Sequence, residues 1–158
     1  MTMTSNQPSI IDSGEFTVRR TISIRAAIDK VWAAITQADL IVEWFGQGAE
    51  LSEVAVGGSG SFTFEGYGQF PVRIEELDPP RMIAYRWGND NAKAVAGIDP
   101  DHSTVFRFTL EPIEGGTQLT VVETGFNTLS DPVASMESNR GGWDSELDEL
   151  VAFLEGDS

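Results

Sequence analysis

Residues 131–154 read DPVASMESNRGGWDSELDELVAFL, and this stretch decides the fold. Val133, Met136, Trp143, Leu147, Leu150, Val151 and Leu154 recur at helical spacing, so one face of a long helix is apolar. Such a face must lie on something. Gly141 and Gly142 interrupt it, and glycine inside a helix costs about 1 kcal/mol relative to Ala. A bend or a close approach beside Trp143 would account for the pair. Upstream lie strand-like segments rich in aromatics. A sheet wrapped around one long helix buries both and leaves room for a cavity between them.

The strands read outward from there. Over residues 15–25, Phe16, Val18, Ile22 and Ile24 share one face, while Thr17, Arg19, Thr21, Ser23 and Arg25 share the other. Arg20 falls on the apolar face. Two short helices follow, over residues 29–36 and 39–45, the second stopped by Gly46 and Gly48. Residues 51–56 read as the weakest strand. Strands over 61–64, 69–77, 81–87, 104–110 and 117–124 alternate, with turns at Gly57-Gly58-Ser59-Gly60, Asp78-Pro79-Pro80 and Glu114-Gly115-Gly116. Residues 88–102 are long for a plain connection and read as a mobile rim. Strands joined by short turns exclude a doubly wound parallel sheet. The expectation is an α+β domain of six to seven antiparallel strands over residues 15–155, preceded by a flexible arm, residues 1–14.

The chain has 158 residues, enough for one domain with a real core. It contains no cysteine, which excludes disulfides, thiol nucleophiles and cysteine-bound zinc. A formal net charge of −15 would repel nucleic acid and anionic membranes. No run approaches the roughly 18 apolar residues of a membrane span. Residues 1–14 lack the basic start and apolar core of a signal peptide. A cytoplasmic location fits.

Several short motifs together resemble one family. They are Val31-Trp32, Trp44-Phe45-Gly46, Val56-Gly57-Gly58 and the run from Glu76 through Leu77, Asp78, Pro79 and Pro80 to Arg81. Tyr85-Arg86-Trp87, Gly116-Thr117-Gln118-Leu119, Glu123-Thr124-Gly125-Phe126 and Gly142-Trp143 complete the set. In these the chain resembles the SRPBCC superfamily, the START-related and birch-pollen-allergen-like proteins. Within it the likeness is to the domain named for the activator of heat-shock protein 90 ATPase. Ala26-Ala27 stands where that family often has Ala-Pro. The resemblance implies a helix-grip fold and admits hydrophobic-ligand carriers and polyketide cyclases alike.

If the sheet grips the helix, the concave side carries Phe62, Phe64, Phe70, Val72, Tyr85 and Trp87. Phe106, Phe108, Val121, Trp143 and Leu147 join them, with Trp44 from the second short helix. Such a lining suits an apolar ligand site with a few polar anchors; plain core packing is the equal alternative. Arg20 and Glu123 are the polar exceptions, expected to lie near each other as an ion pair or as ligand-orienting groups. His102, the one histidine, stands with Asp99 and Asp101 in the long loop and lacks the converging ligands of a metal site. Gly57–Gly60 lacks the Gly-Lys-Ser/Thr ending of a phosphate loop, and no Gly-x-Ser-x-Gly elbow is present. Asp144, Glu146, Asp148 and Glu149 read as the solvated face of the helix.

These residues point to a non-catalytic binder of a small apolar or amphipathic molecule, without cofactor or metal, as monomer or homodimer. A polyketide cyclase or aromatase using Glu123 and Tyr85 for proton transfer is the second expectation. A co-chaperone-like module for heat-shock protein 90 is the third.

Overall fold

The computed structural model describes residues 6–64, 68–88, 101 and 103–156. The elements run β1 (Ile10–Asp12), β2 (Thr17–Ile24), α1 (Ile28–Thr36), α2 (Ala38–Ile41), β3 (Gly48–Leu51) and β4 (Ser59–Phe64). β5 (Gly68–Asp78), β6 (Met82–Trp87), β7 (Thr104–Ile113), β8 (Gly116–Thr124) and α3 (Pro132–Glu155) follow. The described strands form one antiparallel eight-stranded sheet, ordered β1-β2-β8-β7-β6-β5-β4-β3. Its concave face holds α3, so the α+β helix-grip architecture stands.

The period-two pattern sets each face. In β2 the side chains at Val18, Arg20, Ile22 and Ile24 are buried and those at Arg19, Thr21 and Ser23 exposed. β7 and β8 are joined at Gly115, whose φ of 82° is open to glycine without strain. Gly60 lets β3 approach, because a Cβ there would lie 1.7 Å from the Glu50 carbonyl oxygen. Asp131 caps α3 by accepting a hydrogen bond from the Ala134 N–H, and Pro132 occupies the first turn.

Four sequence expectations change. The sheet has eight strands because residues 10–12, assigned to the loose arm, pair with β2 through Ile10↔Arg19 and Asp12↔Thr17. The arm is further tied down by hydrogen bonds between Asn6 and Ser23 and from Ser9 to Asp144. The weak strand lies at 48–51, not 51–56: the ladder to β4 runs from Gly48↔Thr63 to Leu51↔Gly60, leaving Val54 and Val56 44% and 62% exposed. Val133 is exposed as well, so the apolar face of α3 begins at Met136. Finally, α3 continues unbroken through Gly141 and Gly142, and a Cβ at either would meet open space. The glycine pair therefore serves no close approach beside Trp143.

Candidate functional site

The interior is a shell of touching rings. Phe45, at the end of the α2 turn, stacks on Trp143 at 5.7 Å with planes 13° apart. It also meets Phe62, Phe64, Trp87 and Phe106 at 5.0–6.1 Å between centroids. Trp143 in turn contacts Phe106 and Phe108 at 5.2 and 5.8 Å. These spacings are those of attractive edge-on and offset pairs. Trp44 donates its indole N–H to the Ala34 carbonyl at 2.8 Å, and Val72, Val121 and Leu147 are buried among the rings. All but one of the fourteen candidate residues are buried; Phe64 is half-buried.

Exposure is graded along this shell. Phe62, Tyr85, Phe106 and Phe108 are sealed, whereas Phe70 and Trp87 keep 9% and 8% of their surface. Phe64, Phe70 and Trp87 touch one another at 5.8–6.0 Å. They cluster where β4 ends, β5 begins and β6 ends. The rim expected over residues 88–102 falls, apart from Gly88 and Asp101, outside the described residues, as does His102.

Glu123, on β8, is fully buried. Its Oε1 accepts from Trp143 Nε1 at 2.9 Å and Asn139 Nδ2 at 3.0 Å. Its Oε2 accepts from Trp87 Nε1 at 3.0 Å, Thr104 Oγ1 at 2.5 Å and Asn139 Nδ2 at 3.1 Å. Trp87 Nε1 is shared with Thr104 Oγ1 at 3.1 Å. A buried carboxyl group is tolerated only when its oxygens are hydrogen-bonded. Here that requirement fixes two indole planes and joins α3 to the ends of β6 and β7.

The expected pairing of Arg20 with Glu123 does not form. β2 and β8 are neighbours, but Val18 lies opposite Glu123 and Arg20 lies opposite Val121. The Arg20 guanidinium turns instead to α3 and the N-terminal segment. It donates to the Gln7, Trp143 and Asp144 carbonyls at 2.8, 3.3 and 3.1 Å and to Asp148 Oδ1 at 2.9 Å. Arg20 is a clamp between sheet, helix and arm. Asp144 and Asp148 consequently serve that clamp, and Asp144 also accepts from the Ser9 N–H and hydroxyl. Glu146 is half-buried and its Oε1 accepts from Gly46 N–H at 3.4 Å. Only part of the acidic stretch on α3 is therefore a free solvated face.

Tyr85 is similarly committed. Its hydroxyl donates to the Ile35 carbonyl at 2.6 Å, and burial pushes its ionisation far above the ordinary phenol range. It holds α1 to the sheet. Asn139, Thr104 and Phe45 were missed as site residues. Asn139 was legible as a polar interruption of the Met136–Trp143 face; Thr104 opens a strand and gave no such signal. Among the described residues, no group of three His, Cys, Asp or Glu side chains is placed to hold a metal ion. No described helix is long and apolar enough to cross a membrane.

The sequence pattern of the family described as Activator of Hsp90 ATPase homolog 1-like protein matches residues 25–155. The chain belongs to this family. Among solved structures, this family member resembles protein MLL2253 from Mesorhizobium loti, with 26% identity over 90% of this chain and 98% of that one, at a TM-score of 0.75. It shares its fold with the Aha1 dimer from Colwellia psychrerythraea, at 21% identity over 90% and 98% of the two chains and a TM-score of 0.70. It likewise shares the fold of DynU16, from the dynemicin biosynthetic locus, at 24% identity and a TM-score of 0.70. That match covers 88% of this chain and 47% of DynU16. No curated protein matches the chain.

Proposed function

We propose that this Activator of Hsp90 ATPase homolog 1-like chain binds a small apolar or amphipathic molecule at the Phe64, Phe70 and Trp87 end of its ring shell. The observation that carries this reading is the graded exposure of one connected aromatic surface. Phe64 is half-buried and Phe70 and Trp87 keep 9% and 8% of their surface, while Phe62, Tyr85, Phe106 and Phe108 are sealed. Burying ligand against such a surface yields about 25 cal/mol per Å² of apolar area. Trp87 is held in place by Glu123, so little ordering is lost when a ligand docks. Binding ranks ahead of cyclase chemistry, because the Tyr85 hydroxyl is engaged by Ile35 and held protonated by burial.

The test is a titration of indole fluorescence, paired with thermal shift, against alkyl, polycyclic aromatic and polyketide-like compounds. Saturable quenching that Phe70→Ala weakens at least several-fold is the expected result. A panel that changes neither emission nor melting temperature, with nothing co-purifying from the host by native mass spectrometry, would end the reading.

A further inference from the structure

The hairpin of β1 and β2 is anchored firmly along its N-terminal segment and held weakly at its turn. We propose that this segment is exchanged between two copies of the chain, so that residues 6–12 of each complete the sheet and the helix clamp of the other. The anchors lie on β2 and α3. Asn6 Oδ1 accepts from the Ser23 N–H at 2.9 Å, and the Gln7 carbonyl accepts from Arg20 Nε at 2.8 Å. Ser9 gives its N–H and its hydroxyl to Asp144 Oδ1 at 2.6 and 2.8 Å. None of these bonds involves residues 13–16, so the same segment of a second copy offers the same set.

The turn is the strained part. Phe16 is the one non-glycine residue with positive φ among the described residues, at 54°, a region that bulky side chains rarely occupy. The bonds of the turn run from the Glu15 N–H to the Asp12 carbonyl and Oδ1 at 3.3 and 3.1 Å, while Ser13, Gly14 and Glu15 are exposed. Straightening the turn returns Phe16 to extended backbone in both copies. The register suits this. Ile10↔Arg19, Ile11↔Val18 and Asp12↔Thr17 are paired, so the centre of the hairpin falls between Gly14 and Glu15. Two straightened hinges laid antiparallel about that point continue the same ladder without a bulge. Such a contact is twofold and closed, and short strained hinges favour it. The formal net charge of −15 on each copy opposes it, a cost that salt screens.

The chain has no cysteine, so introduced thiols report the pairing. Ile10→Cys and Arg19→Cys are made on separate chains, at exposed positions that lie opposite each other. The two variants are refolded together from urea and oxidised with glutathione disulfide. A disulfide joining the two chains is expected, in a species that light scattering reads as a dimer and that grows with salt. Edge-to-edge contact of two β1 strands sets Ile10 against the other β1 rather than against Arg19, and gives no such crosslink. Phe16→Gly relaxes the closed turn and is expected to weaken dimerisation about tenfold. A wild-type chain that stays monomeric up to its solubility limit overturns the exchange without recourse to any variant. So does a dimer whose crosslink forms only within a chain carrying both cysteines, or a Phe16→Gly variant that dimerises as tightly as the parent.

Discussion

Glu123 shows what a single buried acid does when donors from several elements converge on it. A buried acceptor that loses its donors costs more than the bonds themselves contribute, and among the described residues the donors are two tryptophans, an asparagine and a threonine. Glu123→Gln replaces one acceptor oxygen by an NH₂ group that faces those donors. The expected loss is about 1–3 kcal/mol in urea unfolding, with altered tryptophan bands in near-ultraviolet circular dichroism. A variant as stable as the parent with unchanged bands would show that the carboxyl group holds nothing. Glu146 presents the opposite case. Burial raises its ionisation above the ordinary carboxylate range, the Gly46 N–H opposes that shift, and Glu149 adds to it. The folded form therefore holds this proton more tightly than the unfolded chain. Its penalty is full at neutral pH, shrinks as pH falls through the folded-state value, and vanishes below the unfolded value of about 4.3. Glu146→Gln is expected to raise the melting temperature at pH 7 and to give no gain below about pH 4. An equal gain at both would exclude titration as the cause. Both acids were visible in the sequence as charges; their partners were not. Glu123 and Arg20 share the inward parity of paired strands, which suggested a mutual bond. The registration of α3 against β2 decided otherwise by bringing Asp148 and two helix carbonyls within reach of the guanidinium.

At the scale of elements, alternation made β2, β7 and β8 readable, because each buries one face more deeply than the other; β6 alternates in sequence too, although Ala84 on its second face is also buried. β1 escaped notice because three residues give no period, and its stability comes from β2 and from Ser9 on Asp144 rather than from its own pattern. The glycine pair in α3 was misread for a related reason. Helical spacing reveals which residues share a stripe, and neither glycine belongs to the buried one. Both lie exposed with open space at Cβ. Gly141→Ala and Gly142→Ala are each expected to stabilise the protein by about 0.5–1 kcal/mol, read as a shift of the denaturation midpoint at constant m-value. A loss in either would mean that the helix depends on a conformation only glycine takes.

For the molecule as a whole, two fasteners join parts far apart in sequence. Glu123 ties the last helix to the sheet's middle, and Arg20 ties it to β2 and to the N-terminal segment. Removing residues 1–12 takes away the β1 pairing, the Gln7 acceptor and the Ser9 contacts, and bares the backbone edge of β2. The truncated chain is expected to melt several degrees lower and to self-associate on size-exclusion chromatography. A truncated chain that stays at its original elution volume and melting temperature would reduce β1 to decoration.

The same strand order sets a timetable for the nascent chain. Ile22 finds its partner Leu119 only after the intervening 96 residues have been made. At roughly 5–20 residues per second that interval is on the order of 5–20 s. Throughout it β2 presents oily side chains and unpaired amides to the cell, with only the brief β1 to shield them. Holdase chaperones would meet this protein early in translation, long before the closing helix exists.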